Sequence, residues 1–333
     1  MKHKLRTWLL RLLVVVLLGF LLWWVVRYAP LAEIWAALRG LQLWEIAVLL
    51  AANAILYVLV TLRWWLIVRA DARHIPYLPL LGVRVAVFGV SYFTLGPQVG
   101  GEPLQILFLQ RKYGLTYTRA TASVLMDKIL EFLVDFILLV LGLAAVFRAG
   151  VLTESSLSFS LELIGLLLLL LWPPTHIALL YHRRYPLTAL VRAIPFIPKK
   201  AKAIRFLRAA EGLAGNFCRR HLPYLLGALG VSLLAGVGMV GEYALMTSFL
   251  GIHLPFWRTV AAWAAGWMAF LMPLPGGLGA LEASQVFVLG RFGIRNAAAI
   301  SLILLMRGRD LLIGGLGLLI AGTASWKKKS GPS

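Results

Sequence analysis

Gly96-Pro97-Gln98-Val99-Gly100-Gly101-Glu102-Pro103 interrupts an apolar chain with helix breakers and a carboxylate. Far downstream, Pro273-Leu274-Pro275-Gly276-Gly277-Leu278-Gly279-Ala280-Leu281-Glu282 repeats the combination. In hydrocarbon a broken helix leaves N–H and C=O groups with no water to bond. Such backbone is tolerated at membrane depth only where protein buries it or a polar cavity takes it in. Two breaks, each with a Glu at a new helix start, therefore point to an interior site.

The surrounding sequence has the matching character. Of 333 residues, 61% are hydrophobic and 14% charged. A membrane-spanning helix needs roughly 20 apolar residues. Runs of that length occur at about 8–28, 44–66, 120–147, 161–181, 223–250 and 297–323. The fold class is thus all-α, a polytopic membrane protein. Shorter apolar arms flank the breaks, 80–95 with 103–110 and 258–272 with 280–290. At about 1.5 Å per residue each arm covers only roughly half to three quarters of a bilayer core. The first run continues into Trp23 and Trp24 without a small-residue cleavage site, so it reads as a retained span and not a signal peptide.

The formal charge of +20 lies between the apolar runs. It reads as cytoplasmic loops, not as a nucleic-acid surface. Lys2, Lys4, Arg6 and Arg11 place the N-terminus in the cytoplasm, and Lys327-Lys328-Lys329 the C-terminus. Arg111, Lys112 and Arg119 put the loop after the first break there too. Region 182–221, with ten Lys and Arg residues against Glu211, is the largest basic cytoplasmic loop. On this reading there are six full spans. The first broken pair re-enters from the cytoplasm and the second from outside. The alternative is eight complete spans. Pro97 and Pro275, Glu102 and Glu282, "YGL" at 113–115 and "FGI" at 292–294, and Met126-Asp127 and Met306-Arg307 recur at offsets of 178 to 180 residues. The chain therefore reads as one integral membrane domain, 1–333, whose halves, about 44–147 and 223–323, form an inverted repeat. Transporters are commonly built this way.

Charged residues inside spans carry the functional signal. Asp127, Glu131 and Asp135 share one helix face, with Lys128 beside them. Charges there are expensive, so they are expected to face a wet cavity, pair with cations or carry protons. Arg307, Arg309 and Asp310 sit inside the last span. The repeat makes Asp127 and Arg307 equivalent, so they are candidates to meet across the pseudo-axis. Glu102 and Glu282 each open a half-helix. Each either satisfies its own helix start or contacts a cationic headgroup or a proton. Gly100, Gly101, Gly276, Gly277 and Gly279 permit close backbone approach, and their N–H groups are candidate phosphate donors. Glu242 reads as interfacial. Gly236, Gly238 and Gly241 read as helix-packing positions. Pro173-Pro174 are expected to kink their span. Segment 199–217 reads as an interfacial helix on anionic lipid or as a solvated loop.

Enzyme signatures are absent: no phosphate loop, nucleophile elbow or zinc-protease motif. The single Cys218 excludes an intrachain disulfide, and the six scattered histidines read as loop or interface residues with no metal site. No cofactor is expected. An intramembrane enzyme using Asp127 and Glu131 lacks an accompanying nucleophile or metal set.

The stretches "GPQVGGEPLQILFLQRKYGLTYTRATASVLMDKILEF", "MPLPGGLGALEASQVFVLGRFGI" and "LLMRGRD" resemble the two signature regions of the lysylphosphatidylglycerol synthase transmembrane-region family, also called flippase-like domain proteins. The resemblance covers nearly the whole chain. It implies lipid translocation across the bacterial inner membrane, with aminoacylated phosphatidylglycerol, hopanoid or polyprenyl lipids as the family's associations. Two departures matter. No soluble aminoacyl-transferase domain follows the last span, so lipid synthesis is not expected. Lys128 follows Asp127 where the family pattern has Asp-Arg, which keeps the charge and loses bidentate geometry. The expected partner is an anionic phospholipid or isoprenoid phosphate lipid, its phosphate met by Lys128, Arg307, Arg309 and glycine amides. The second expectation is an accessory subunit that docks a lipid-modifying glycosyltransferase or aminoacyltransferase through 182–221.

Overall fold

The computed structural model describes residues 36, 39–94, 100–148, 157–194, 202–272 and 274–323. The expected first span at 8–28, the lysine tail, Pro97 and Pro273 lie outside them. All regular elements among the described residues are helical. The chain runs α1 (Leu43–Asp71), α2 (Tyr77–Tyr92), α3 (Glu102–Tyr113), α4 (Tyr117–Arg148), α5 (Leu157–Tyr181), α6 (Pro186–Ala193) and α7 (Lys202–Arg220). It continues with α8 (Leu222–Phe249), α9 (Phe256–Leu271), a 3-10 turn (Pro275–Gly277), α10 (Ala280–Arg291) and α11 (Asn296–Thr323).

Among the described residues, α1, α4 and α8 are long and apolar enough to cross a membrane, and α2 and Leu167–Tyr181 are shorter apolar helices. α11 matches α8 in length, 28 residues each, but carries Arg307, Arg309 and Asp310. The outer faces of these helices are apolar, with Leu50, Ile55 and Val58 exposed on α1 and Leu226, Leu234 and Val237 on α8. Charged residues in their middle stretches, Arg63, Asp127, Glu131, Asp135 and Glu242, point inward, while Arg69, Asp71, Arg119 and Arg148 near the ends are exposed. That is the arrangement hydrocarbon imposes, since a charge is tolerable only in the bundle interior. α5 runs on through Pro173-Pro174.

The breaks have distinct local causes. α3 opens with Pro103 in its first turn, where the fixed φ suits a helix start and the missing N–H goes unneeded. Before α10, Gly276, Gly277 and Gly279 hold φ of +57°, +63° and +80°, a left-handed conformation that only glycine adopts cheaply.

Small residues set the helix crossings. A Cβ on Gly89 of α2 would lie 2.6 Å from the Gly314 carbonyl and 2.8 Å from the Leu318 nitrogen of α11. A Cβ on Gly142 of α4 would overlap the Cβ of Ala264 on α9. α1 lies along α8, with Leu56 over Gly238. Gly236 likewise abuts Val134, so two of the three glycines read as packing positions on α8 do pack closely. Gly241 has nothing within 4 Å of its would-be Cβ. Two tryptophans, Trp263 and Trp267, with Met246, Leu281 and Leu302, fill one core. Trp64, Val68, Leu80 and Leu109 fill another.

Segment 202–220 differs from expectation. The helix is amphipathic, but Ala214, Phe217 and Cys218 are buried in a cluster with α4, α5 and α8, and Ile204 is also buried. The protein itself covers the apolar face that the sequence assigns to lipid. Lys202, Arg205, Arg208 and Arg220 face outward. Glu211 anchors this strap. Fully buried, it accepts hydrogen bonds from Leu187 N and Thr188 N, both 2.8 Å, and from the Thr188 hydroxyl, so it caps α6 from a distance. His176, also buried and not a loop residue, lies 3.8 Å from the same carboxylate. Glu211→Ala leaves these donors unmet and is expected to cost about 1–3 kcal/mol. Limited trypsin digestion checks this, with faster cleavage at Arg205 and Arg208 in the variant.

Candidate functional site

The acidic face of α4 builds the site. Asp127 and Glu131 lie one turn apart, and two arginines from different helices bridge both. Arg63 of α1 donates to Asp127 at 2.6 Å and to Glu131 at 2.5 Å. Arg84 of α2 donates to the same two carboxylates at 2.7 and 2.9 Å. The result is a four-residue ring, two guanidiniums against two carboxylates, with Asp127 fully buried. Buried ions are stable only when paired with good geometry, and the planar guanidinium offers a rigid fork of donors that a lysine lacks. Lys128 extends the ring. It holds Glu131 at 2.7 Å and Glu102, at the start of α3, at 3.3 Å.

A second knot sits at the other break. Arg307 of α11 binds Glu282 at 2.8 Å, the Tyr92 hydroxyl at 3.1 Å and the carbonyls of Gly276 and Gly277. It ties α11 to the glycine turn and to the end of α2. The two breaks share a device: Glu102 accepts from Gly100 N, and Glu282 from Gly279 N, each at 2.8 Å. Each Glu therefore satisfies its own helix start, as one of the two sequence readings had it, and also pairs with a side-chain cation, Lys128 or Arg307, that neither reading named.

A third group joins α11 to α8. Arg309 binds Glu242 at 2.7 Å and Asp310 at 2.7 Å, and Asn53 of α1 donates to Glu242 at 2.8 Å. Glu242 is buried and paired, not interfacial.

Between the first and third groups lies a cavity of about 260 Å³. Arg63, Arg84, Glu131, Glu242, Arg309 and Asp310 line its polar surface, and Phe88, Met239, Trp263, Trp267 and Phe270 its apolar one. The volume falls near the lower end of small-molecule sites, roughly 300–1,000 Å³. That is room for a small polar group.

Of the residues singled out in the sequence, Glu102, Lys128, Glu131, Asp135, Gly236, Glu242, Arg309 and Asp310 line this cavity. Asp127 sits behind it in the ring. Glu282, Arg307 and Gly100, Gly101, Gly276, Gly277 and Gly279 do not line it. Asp127 and Arg307 do not meet, since Asp127 is taken by Arg63 and Arg84, and Arg307 by Glu282. Most of the expected phosphate donors are also committed. Lys128, Arg307 and Arg309 each hold carboxylates, and the N–H groups of Gly100 and Gly279 go to their own glutamates. In a low-dielectric interior, cations and free amides find internal acceptors first. Arg63, Arg84, Asn53 and Tyr92 were missed. The signal available was the requirement that three acids on one helix face find cations.

These features define a helical membrane protein with ion-paired groups around an interior cavity. The chain belongs to the lysylphosphatidylglycerol synthase transmembrane-region family, whose pattern matches residues 8–317. It is also similar to a UPF0104 membrane protein of Methanothermobacter thermautotrophicus, 33% identical over 130 residues. That match spans 38% of this chain and 35% of the relative. No solved structure matches it.

Proposed function

We propose that the protein translocates a phospholipid or isoprenoid-linked lipid across the bacterial inner membrane, without an intrinsic ATPase and without acting as an enzyme. The cavity carries this reading, because it joins charged groups to apolar walls inside a bundle whose outer surface is apolar. A headgroup sits among Arg84, Lys128, Glu131 and Arg309 while its chains stay in hydrocarbon. A lipid phosphate brings one further negative charge and competes with the carboxylates for these cations through charge-assisted hydrogen bonds. Reconstitution in liposomes with fluorescent anionic and isoprenoid lipids tests it. Acceleration over empty liposomes is expected, and none across both lipid classes contradicts it.

The two halves are inferred to be an inverted repeat, with both termini cytoplasmic and the broken pairs re-entrant from opposite faces. Two packing relations support this. α2 crosses onto α11, and the corresponding α9 crosses onto α4. Glu102 with Lys128 and Glu282 with Arg307 form matching pairs at the two breaks. A cysteine at position 112 should resist an impermeant thiol reagent in intact cells, and one at 291 should react. Labelling at 112 from outside contradicts the re-entrant arrangement. Cys218 is buried, and burial pushes its thiol up, but the test is made in a Cys218→Ser background so that only the introduced cysteine can react.

A further inference from the structure

Asp135 stands apart from its two neighbours on α4. Asp127 and Glu131 hold Arg63, Arg84 and Lys128. Among the described residues, no cation lies within ion-pair distance of Asp135 and no hydrogen bond reaches it. It is 4% exposed and lines the cavity. Ser232 of α8 lines the same cavity at 2% exposure, and its hydroxyl has no hydrogen-bond partner. Asn53 does too, and its Oδ1 lacks a donor while its Nδ2 serves Glu242.

The other charged and titratable groups around the cavity are committed elsewhere. Lys128 and Glu131, on Asp135's own helix, bind each other. Arg63 of α1 and Arg84 of α2 close the ring. On α8, Glu242 is held by Arg309, and Tyr243 donates to Gln285 at 2.6 Å. On α11, Asp310 shares Arg309. Tyr57 of α1 also lines the cavity, and α9 presents tryptophan there. The ring is balanced without Asp135: Arg63, Arg84 and Lys128 against Asp127, Glu131 and Glu102. An ionised Asp135 adds a carboxylate with no counter-charge, and such a group in a desolvated site takes a proton or a cation.

We propose that Asp135 is a proton-exchange site that couples lipid passage to proton movement. Water on one side of the membrane supplies the proton, an O–H bond forms at the carboxylate, and the same bond breaks to release the proton to water on the other side. No electrons move and the lipid is not altered. Ser232 Oγ and Asn53 Oδ1 are unpartnered polar atoms lining the same cavity. The coupling rests on the lipid-translocation reading. The proton site itself does not.

Two measurements separate them. The full chain in lipid nanodiscs is treated with dicyclohexylcarbodiimide, which modifies protonated carboxyl groups in apolar surroundings. An adduct on Asp135 is expected, declining as pH rises, with none at this position in Asp135→Asn. No adduct on the wild-type peptide overturns the proton site whatever the transport result. In proteoliposomes carrying fluorescent phosphatidylglycerol, a pH gradient is expected to change the wild-type translocation rate several-fold and to leave the Asp135→Asn rate unchanged. A wild-type rate indifferent to the gradient overturns the coupling and leaves lipid translocation standing. Labelled Asp135 in a protein that moves no lipid supports the proton site and overturns both the coupling and the translocation of that lipid.

Discussion

Arg63→Ala is expected to lower the stability of the protein by about 3–5 kcal/mol, the range found when one member of a buried ion pair is removed. Arg63 is 3% exposed and touches both Asp127 and Glu131. Its loss leaves two carboxylates to Arg84 and Lys128. The uncompensated charge has no water to turn to, so the penalty is desolvation and not merely a lost contact. Arg63→Lys keeps the charge but cannot fork across two carboxylates, and it should fall between alanine and wild type. Thermal unfolding of the detergent-solubilised protein provides the check. A wild-type melting temperature for Arg63→Ala would show that the ring does not hold α1, α2 and α4 together.

Gly89→Leu should destabilise the protein by about 3 kcal/mol, the upper end of the overpacking range. Backbone atoms of Gly314, Gly317 and Leu318 lie within 2.6–2.9 Å of the position its Cβ would occupy. Backbone cannot swing aside as a flexible side chain can, so α2 and α11 must part. Gly82→Leu, on the same helix, is the control. Its Cβ would meet nothing within 4 Å, and its effect should be a small fraction of the other. Equal losses from the two variants would show that the crossing is not what Gly89 protects, since the change to Leu favours a helix at both positions.

The long elements were legible because apolar runs without breakers leave little choice. The expected span 120–147 is α4 at Tyr117–Arg148, and 223–250 is α8 at Leu222–Phe249. The broken arms were legible for the opposite reason: glycine and proline mark their ends, and α3 and α10 begin at or next to the expected residues. The acidic face of α4 followed from helical periodicity. Its counter-ions did not, because Arg63 and Arg84 are 64 and 43 residues from Asp127 and look like stray charges in apolar runs. Repeat equivalence misled at Asp127 and Arg307. Equivalent positions meet only if they lie near the pseudo-axis, and spacing carries no such information. Glu242 was misplaced by depth along its helix, since its partner Arg309 is 67 residues away. Amphipathicity at 202–220 identified a face to be covered but not what covers it.

The central claim is that lipid passes through the interior cavity. Met239 lines that cavity and is only partly buried against its neighbours, so a larger side chain there narrows the space without dividing the core. The decisive measurement compares wild type with Met239→Trp in liposomes symmetrically loaded with a headgroup-labelled anionic lipid, using an impermeant quencher. Wild-type protein is predicted to expose the inner-leaflet half of the label. Met239→Trp, with an unchanged melting temperature, is predicted to leave most of that half protected. Passage through Met239→Trp at the wild-type rate would contradict the cavity as the route.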